Sequence, residues 1–157
     1  MGNQGLPPGV DASQLADWQT RALGWLVDFI PFIAVWVIFY IISLAVGFFV
    51  SLLGDLVALA IGIFLAYQLG TFGSTPGMRL IGLKCVSVKT GQPVGFGMGI
   101  LRAIIHWIAF VLCVIPGVVD LLFPLWDSQK QTLADKLISS VVVKVPKQAF
   151  SITPKTS

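Results

Sequence analysis

The chain has no glutamate, one histidine, two cysteines and only 11% charged residues. Each shortage removes a class of function. Soluble domains carry roughly a quarter of their residues as charges, so a surface this poor in charge does not suit water as its only solvent. One histidine and two cysteines are too few for a structural zinc site. Cys85 lies in a polar connector and Cys113 inside an apolar run, so the pair reads as two reduced structural thiols and not as a disulfide. No enzyme constellation is present either. Gly73-Ser74-Thr75-Pro76-Gly77 lacks the spacing of a nucleophile elbow. Gly95-Phe96-Gly97-Met98-Gly99 is followed by no phosphate-loop Lys-Ser/Thr pair and reads as a flexible lead-in to a helix at Ile100. No catalytic residue, metal or cofactor is expected. The first twenty residues hold no Lys or Arg, and the apolar run after them is too long for a signal-peptide core, so no cleaved leader is expected.

What is abundant is apolar surface. Of 157 residues, 56% are hydrophobic and the mean hydropathy is +0.90. The length suits one domain. Residues 1–17 are rich in Gly, Pro and polar side chains and read as a disordered tail. A membrane domain is expected over 18–145 and a polar tail over 146–157. Within the domain, Ala22 to Val50 carries only Asp28 as a charge. That exceeds the roughly 20 residues needed to cross a bilayer. Ser51 to Asp55 reads as a short connector, and Leu56 to Phe72 as a second span. Trp18 and Trp25 suit the headgroup level, and Pro31 predicts a kink. After a flexible Gly70–Gly77 loop, Leu80 to Lys89 reads as a strand, with a turn at Thr90-Gly91 and a return over Gln92–Phe96.

The third apolar segment, Ala103 to Trp126, is long enough for one crossing but contains Pro116-Gly117. A single span would put the five C-terminal lysines on the far side. It would also separate the β-branched run Ser140–Val145 from the strand near Lys84. A re-entrant hairpin turning at Pro116-Gly117 keeps all these charges on one face, and the lysine distribution favours it. The fold class is therefore an α-helical integral membrane protein with two transmembrane helices. To these are added a broken third segment, re-entrant or spanning once, and a small cytoplasmic β element.

Asp28 is the most informative residue, because a carboxylate at mid-helix in a bilayer is costly, about 2.5–3.5 kcal/mol on insertion scales. Arg21 lies two turns before it on the same face, about 10 Å away along the axis. That is too far for a comfortable direct pair, so Arg79 or Arg102 is expected as the charge partner. Two readings stand: an ion or proton site, or a lock between the first helix and the cytoplasmic connector. Arg21 itself is expected to anchor at the interface, with Asp17 and Trp25 four residues to either side. His106 shares a helical face with Arg102 and, with Asp120 on the opposite arm, would form a His–Asp couple inside a re-entrant loop. The alternative is a histidine bonded to a backbone carbonyl near the headgroups.

The order of these features resembles the RDD family of small membrane proteins. Arg21 and Asp28 match its Arg and first Asp. Gly77 to Gln92 resembles its connector, Leu101-Arg102 the Arg that follows, and Trp126 to Lys136 its C-terminal motif. The resemblance covers residues 18–145. It implies Asp135 as the second signature Asp, with Asp127 as the alternative. Ala134 stands where a His is often seen, and Met78-Arg79 follows Gly77 in place of the usual Lys. The resemblance also implies a transport role as one option. Two functions follow. The first is an accessory or scaffold subunit of a membrane complex. The second is a small oligomeric transporter or ion-translocating module using intramembrane Asp residues. Expected partners are the lipid bilayer, anionic headgroups, and a second copy or another membrane protein, but not nucleic acid. The expected location is the cell membrane, with the N-terminus and basic connector in the cytoplasm.

Overall fold

A computed structural model describes residues 5–112 and 114–148; of residues 109–112 and 114 it describes the backbone alone. Helix α1 runs from Trp18 to Val46 and α2 from Phe48 to Phe72. Asp17 caps the first by accepting from the Thr20 N–H at 2.8 Å, and α1 continues through Pro31. A single residue separates the two helices. Gly47 takes φ +118, open to glycine and strained for other residues, and the chain reverses there. The expected connector over Ser51–Asp55 is instead helical. Ser51 returns its hydroxyl to the Phe48 carbonyl of its own helix, and Gly54 sits where a Cβ would lie 2.5 Å from the Cβ of Phe39. Within the stretch that looked like a loop, Gly54 is the point at which the two helices come close.

Both helices are apolar all round. Leu44, Val46, Phe48 and Phe49 are 73%, 71%, 71% and 81% exposed. At 1.5 Å per residue, 29 and 25 residues exceed the ~30 Å hydrocarbon core. Their length and composition are compatible with two membrane spans.

Beyond α2, a short helix α3 (Pro76–Ile81) leads through Gly82 into strand β1 (Leu83–Ser87). Helices α4 (Phe96–Leu112) and α5 (Val114–Leu122) follow, then a 3-10 turn at Phe123–Leu125, α6 (Leu133–Leu137) and strand β2 (Ser140–Lys144). The two strands pair antiparallel, Leu83 opposite Lys144 and Cys85 opposite Val142. Gln92–Phe96, expected to return as a strand, does not. The Gln92 carbonyl accepts from the Ser87 N–H, closing a turn, and Phe96 opens α4. Pro93 has no N–H for a ladder, whereas Val141, Val142 and Val143 are β-branched and suit the pleat. Pro116 and Gly117, where the hairpin was expected to turn, are helical and lie within α5. Pro116 occupies the first turn of α5, where a missing N–H costs little. Cys113 lies outside the described residues, while Cys85 is wholly buried.

The sheet is buried on both faces. Val86, Val88, Val141 and Val143 pack with Leu15 and the half-covered Leu6 and Val10. Leu83, Cys85 and Val142 pack with Ala16 and Leu69. Residues 5–17 are thus not the featureless tail expected. Leu15 forms a β-bridge to Val143, and the Ala16 N–H donates to the Val142 carbonyl at 2.9 Å. Of the C-terminal tail, residues 149–157 lie outside the described residues.

Helix α4 meets α2 through small residues. A Cβ at Gly99 would lie 2.5 Å from the Ala66 carbonyl oxygen, and one at Gly70 the same distance from that of Gly95. Ala66 and Gly70 on one side, Gly95 and Gly99 on the other, are two small-xxx-small pairs that bring backbones together. The segment expected to be a flexible lead-in is the contact surface itself. Gly99→Ala should therefore lower the thermal stability of the detergent-solubilised protein, by about 1–3 kcal/mol. Gly97→Ala, where a Cβ meets nothing within 4 Å, should be neutral or stabilise by up to about 1 kcal/mol through helix propensity. Equal losses in both would refute the close crossing.

Candidate functional site

Most of the charged residues of the helices gather at one end of the hairpin, and Asp135 joins two of them. It is fully buried. Arg21, from the first turn of α1, donates to its Oδ2, and Arg102 on α4 donates through Nε to Oδ1 at 2.8 Å. Their side chains are only 11% and 18% exposed. Arg21 also donates to the Lys130 carbonyl. The backbone prepares the site: Thr132 caps α6, accepting from the Asp135 N–H at 3.1 Å while Asp135 accepts from the Thr132 N–H at 3.2 Å. This reciprocal cap fixes the carboxylate before either guanidinium arrives. Burial works to raise the Asp135 pKa, but the charges and hydrogen bonds of Arg102 and Arg21 outweigh it and hold the carboxyl far below the usual range.

Arg21 is therefore an interior ion-pair residue, not an interfacial anchor beside Asp17 and Trp25. Asp17 is occupied elsewhere, by Thr20 and by the Lys144 ammonium at 2.7 Å. Arg102, expected as a partner for Asp28, serves Asp135 instead. Asp127, the alternative signature residue, pairs with Lys136 at 2.5 Å and accepts from the Gln131 N–H at 3.0 Å. It closes the loop before α6 and does not reach Arg21 among the described contacts.

Asp28 faces α3. Its Oδ2 accepts from the Thr75 hydroxyl and its Oδ1 from the Gly77 N–H at 2.7 Å. Gly77 must be glycine here, because a Cβ would press into the Gly24 carbonyl and the Asp28 carboxylate. Arg79 contributes charge to this site, since the Asp28 carboxylate opposes the lowering of the Arg79 pKa that burial causes. Its guanidinium donates to Gln68 and to Ser74. Asp120 does for α6 what Asp28 does for α3. Its Oδ1 accepts from the Ala134 N–H at 3.0 Å, and its Oδ2 meets His106 Nδ1 at 2.5 Å. The expected His–Asp couple forms because α5 folds back along α4. In one straight helix the two residues would stand about 21 Å apart.

The parallel between α3 and α6 is a repeat in the sequence. Thr75, Gly77, Arg79, Leu80, Ile81 and Gly82 correspond at a constant offset to Thr132, Ala134, Lys136, Leu137, Ile138 and Ser139. Thr75 caps α3 as Thr132 caps α6. Gly82 and Ser139 take positive φ, +83 and +52, before the strands. At the same offset Leu83–Ser87 becomes Ser140–Lys144, and Cys85 lies opposite its own counterpart, Val142. The antiparallel pair is thus centred on a pseudo-twofold axis. Each half is a helical hairpin, a Thr-capped short helix and a strand, and each opens with an arginine, Arg21 or Arg102, that reaches Asp135. The sequence reading missed this repeat, although Thr-x-small-x-basic-Leu-Ile was its available signal.

Asp135→Asn leaves two buried guanidiniums without a counter-charge and should cost about 3–5 kcal/mol. Asp17→Asn keeps a good helix cap and loses a surface ion pair, so it should cost no more than about 1 kcal/mol after solvent screening. Thermal unfolding in detergent checks both. Because the folded pKa of Asp135 is depressed, its contribution is fully present above the ordinary value of 3.8 and disappears as pH falls below it. The difference between wild type and Asp135→Asn should stay flat from neutral pH to about pH 5 and shrink below about pH 4. A difference that changed near neutrality would contradict this assignment.

Comparison with known proteins agrees with this architecture. The profile of the RDD family matches residues 15–139. The proline-rich antigen homolog of Mycobacterium tuberculosis is 34% identical over 154 residues, covering 82% of this chain and 62% of that protein. The proline-rich antigen of Mycobacterium leprae is 43% identical over 79 residues, covering 50% of this chain and 30% of its own. A Haemophilus influenzae protein of no stated function is 32% identical over 136 residues, covering 84% and 81%. The chain thus spans less than two thirds of the length of the mycobacterial relatives it matches, and no solved structure matches it. With Arg21 joined to the buried Asp135, Asp28 bound to α3, and the family profile covering most of its length, this chain belongs to the RDD family.

Proposed function

We propose that the protein is an accessory or scaffold subunit of a membrane complex, with a non-enzymatic role, whose embedded charges hold its own platform in shape. One observation carries this reading: each of the three central carboxylates has both oxygens engaged by protein donors. Asp28 is held by Thr75 and Gly77, Asp120 by His106 and Ala134, and Asp135 by Arg21 and Arg102. A passing ion would have to displace these ligands, and a buried ion pair is costly to open.

In this reading α1 and α2 cross the cell membrane, and α4 and α5 enter and leave from one face. At 17 residues, α4 is about 25 Å long, short of the ~30 Å core. A re-entrant hairpin needs cover by protein. Trp107 and Ile115, 69% and 72% exposed, offer the surface for a second copy or a different membrane protein. The sheet, the N-terminus and the lysines from Lys130 onward face the cytoplasm and anionic headgroups. The runner-up is ion or proton translocation through Asp28, His106 and Asp120, favoured by the folded-back segment in which the last two meet.

Asp28→Asn separates the two. A structural role predicts lower thermal stability and lower partner recovery, with unchanged flux per folded molecule in liposomes. Abolished flux at wild-type stability would overturn the scaffold reading in favour of transport. In a Cys113→Ser background, Ser128→Cys should resist a membrane-impermeant thiol reagent added outside intact cells. Ready labelling would exclude the re-entrant topology.

A further inference from the structure

At the end of the hairpin remote from the charge cluster, α1 and α2 part around a cleft of about 320 Å³. Its walls include Trp36, Tyr40 and Ser43 on α1, and Phe48, Ser51 and Asp55 on α2. Asp55 differs from the other helical carboxylates. Asp28, Asp120 and Asp135 are each held by donors of the chain, whereas among the described residues Asp55 has no hydrogen bond or ion pair. Nor do the described residues give it a cation. Between Arg21 and Arg79 there is no basic residue, and both arginines lie at the opposite end, about 25 Å of helix from Asp55 to Phe72. A carboxylate on an otherwise apolar hairpin is costly without a counter-charge.

The remaining groups say what that counter-charge is. The rings of Trp36 and Tyr40 stack 5.5 Å apart, and with Phe48 they present aromatic surface, which attracts cations through the ring quadrupole. The hydroxyl hydrogens of Ser43 and Ser51 are already donated to the Tyr40 and Phe48 carbonyls. Their oxygens are left as acceptors beside the Asp55 carboxylate; the Tyr40 hydroxyl can accept or donate, and the Trp36 indole N–H is a donor. A bare metal ion gains little from three rings, and a trimethylated ammonium has no N–H for the acceptors. We infer that the Trp36–Asp55 cleft binds a primary alkylammonium group, of the kind carried by an ethanolamine lipid headgroup or a small soluble amine.

The test is native mass spectrometry of the full chain with matched ethanolamine and choline phospholipids, and in parallel with free ethanolamine and free choline. An ethanolamine probe should be retained over its choline counterpart, and Asp55→Asn should cut that retention about tenfold, the loss of one charge-assisted hydrogen bond. Retention of the phospholipid undisturbed by free ethanolamine would identify the lipid as the source; binding of free ethanolamine alone would identify a soluble amine. Asp55 is exposed and far from the buried cluster, so Asp55→Asn should unfold at the wild-type temperature. Trp36→Leu, on the other wall, provides a second variant and should also weaken retention. Equal binding of ethanolamine and choline probes, or retention undiminished in both variants, would overturn the assignment.

Discussion

The rest of the structure depends on one buried carboxylate shared by two guanidiniums. Asp135 ties the start of α1 and the middle of α4 to a five-residue helix, and through its cap to the loop before it. Among the described residues neither arginine forms an ion pair with another carboxylate, so the ion triad is a matter of geometry as well as charge. Once Arg21 and Arg102 are fixed on one point, α1 and α4 are fixed relative to each other, and α2 is held between them by the small-residue crossing at Gly70 and Gly99. Buried ion pairs are weak sources of net stability but strong penalties when broken. Here the triad acts as a registration device for helices whose apolar surfaces would otherwise slide.

Two further carboxylates repeat the theme at the helix ends. A helix of five or six residues is too short to form on its own, and its first N–H groups need acceptors from elsewhere. Asp28 and Asp120 supply them for α3 and α6 from neighbouring long helices, beside a threonine cap in each case. This makes an embedded acid explicable without a transported ion: it terminates a short helix that the sheet then continues. The pseudo-twofold relation of the two halves accounts for why the same solution occurs twice, although His106 joins Asp120 only.

Much of this was legible in the chain. The two long apolar helices and the His106–Asp120 couple follow from apolar runs and the charges placed in them, while Arg21, Asp28 and Asp135 were picked out together by the family resemblance. What was not legible depended on long-range choice. Arg102 stood beside Arg79 as a candidate partner for Asp28 because nothing local distinguishes one carboxylate from another; the fold decides by bringing α6 between Arg21 and Arg102. Two partners were open to the strand at Leu83: Pro93 spoils the ladder with its sequence neighbour, and the distant Ser140–Val145 run, also expected as a partner, forms it. Ser51, Gly54 and Asp55 looked like a turn by composition, yet the reversal needs only the positive φ of Gly47. Small residues were read as flexibility at Gly95–Gly99, where they permit contact.

The single-glycine reversal at Gly47 also bears on how such a chain enters a bilayer. An ordinary loop has polar peptide groups that must be carried through the hydrocarbon before the second helix can follow. Here almost none exist, and under the topology proposed above the two helices would partition together as one closed unit, with Asp55 the one charge of the hairpin carried to the far side. The same economy would leave that side, among the described residues, without a loop for a protease or an antibody to grasp.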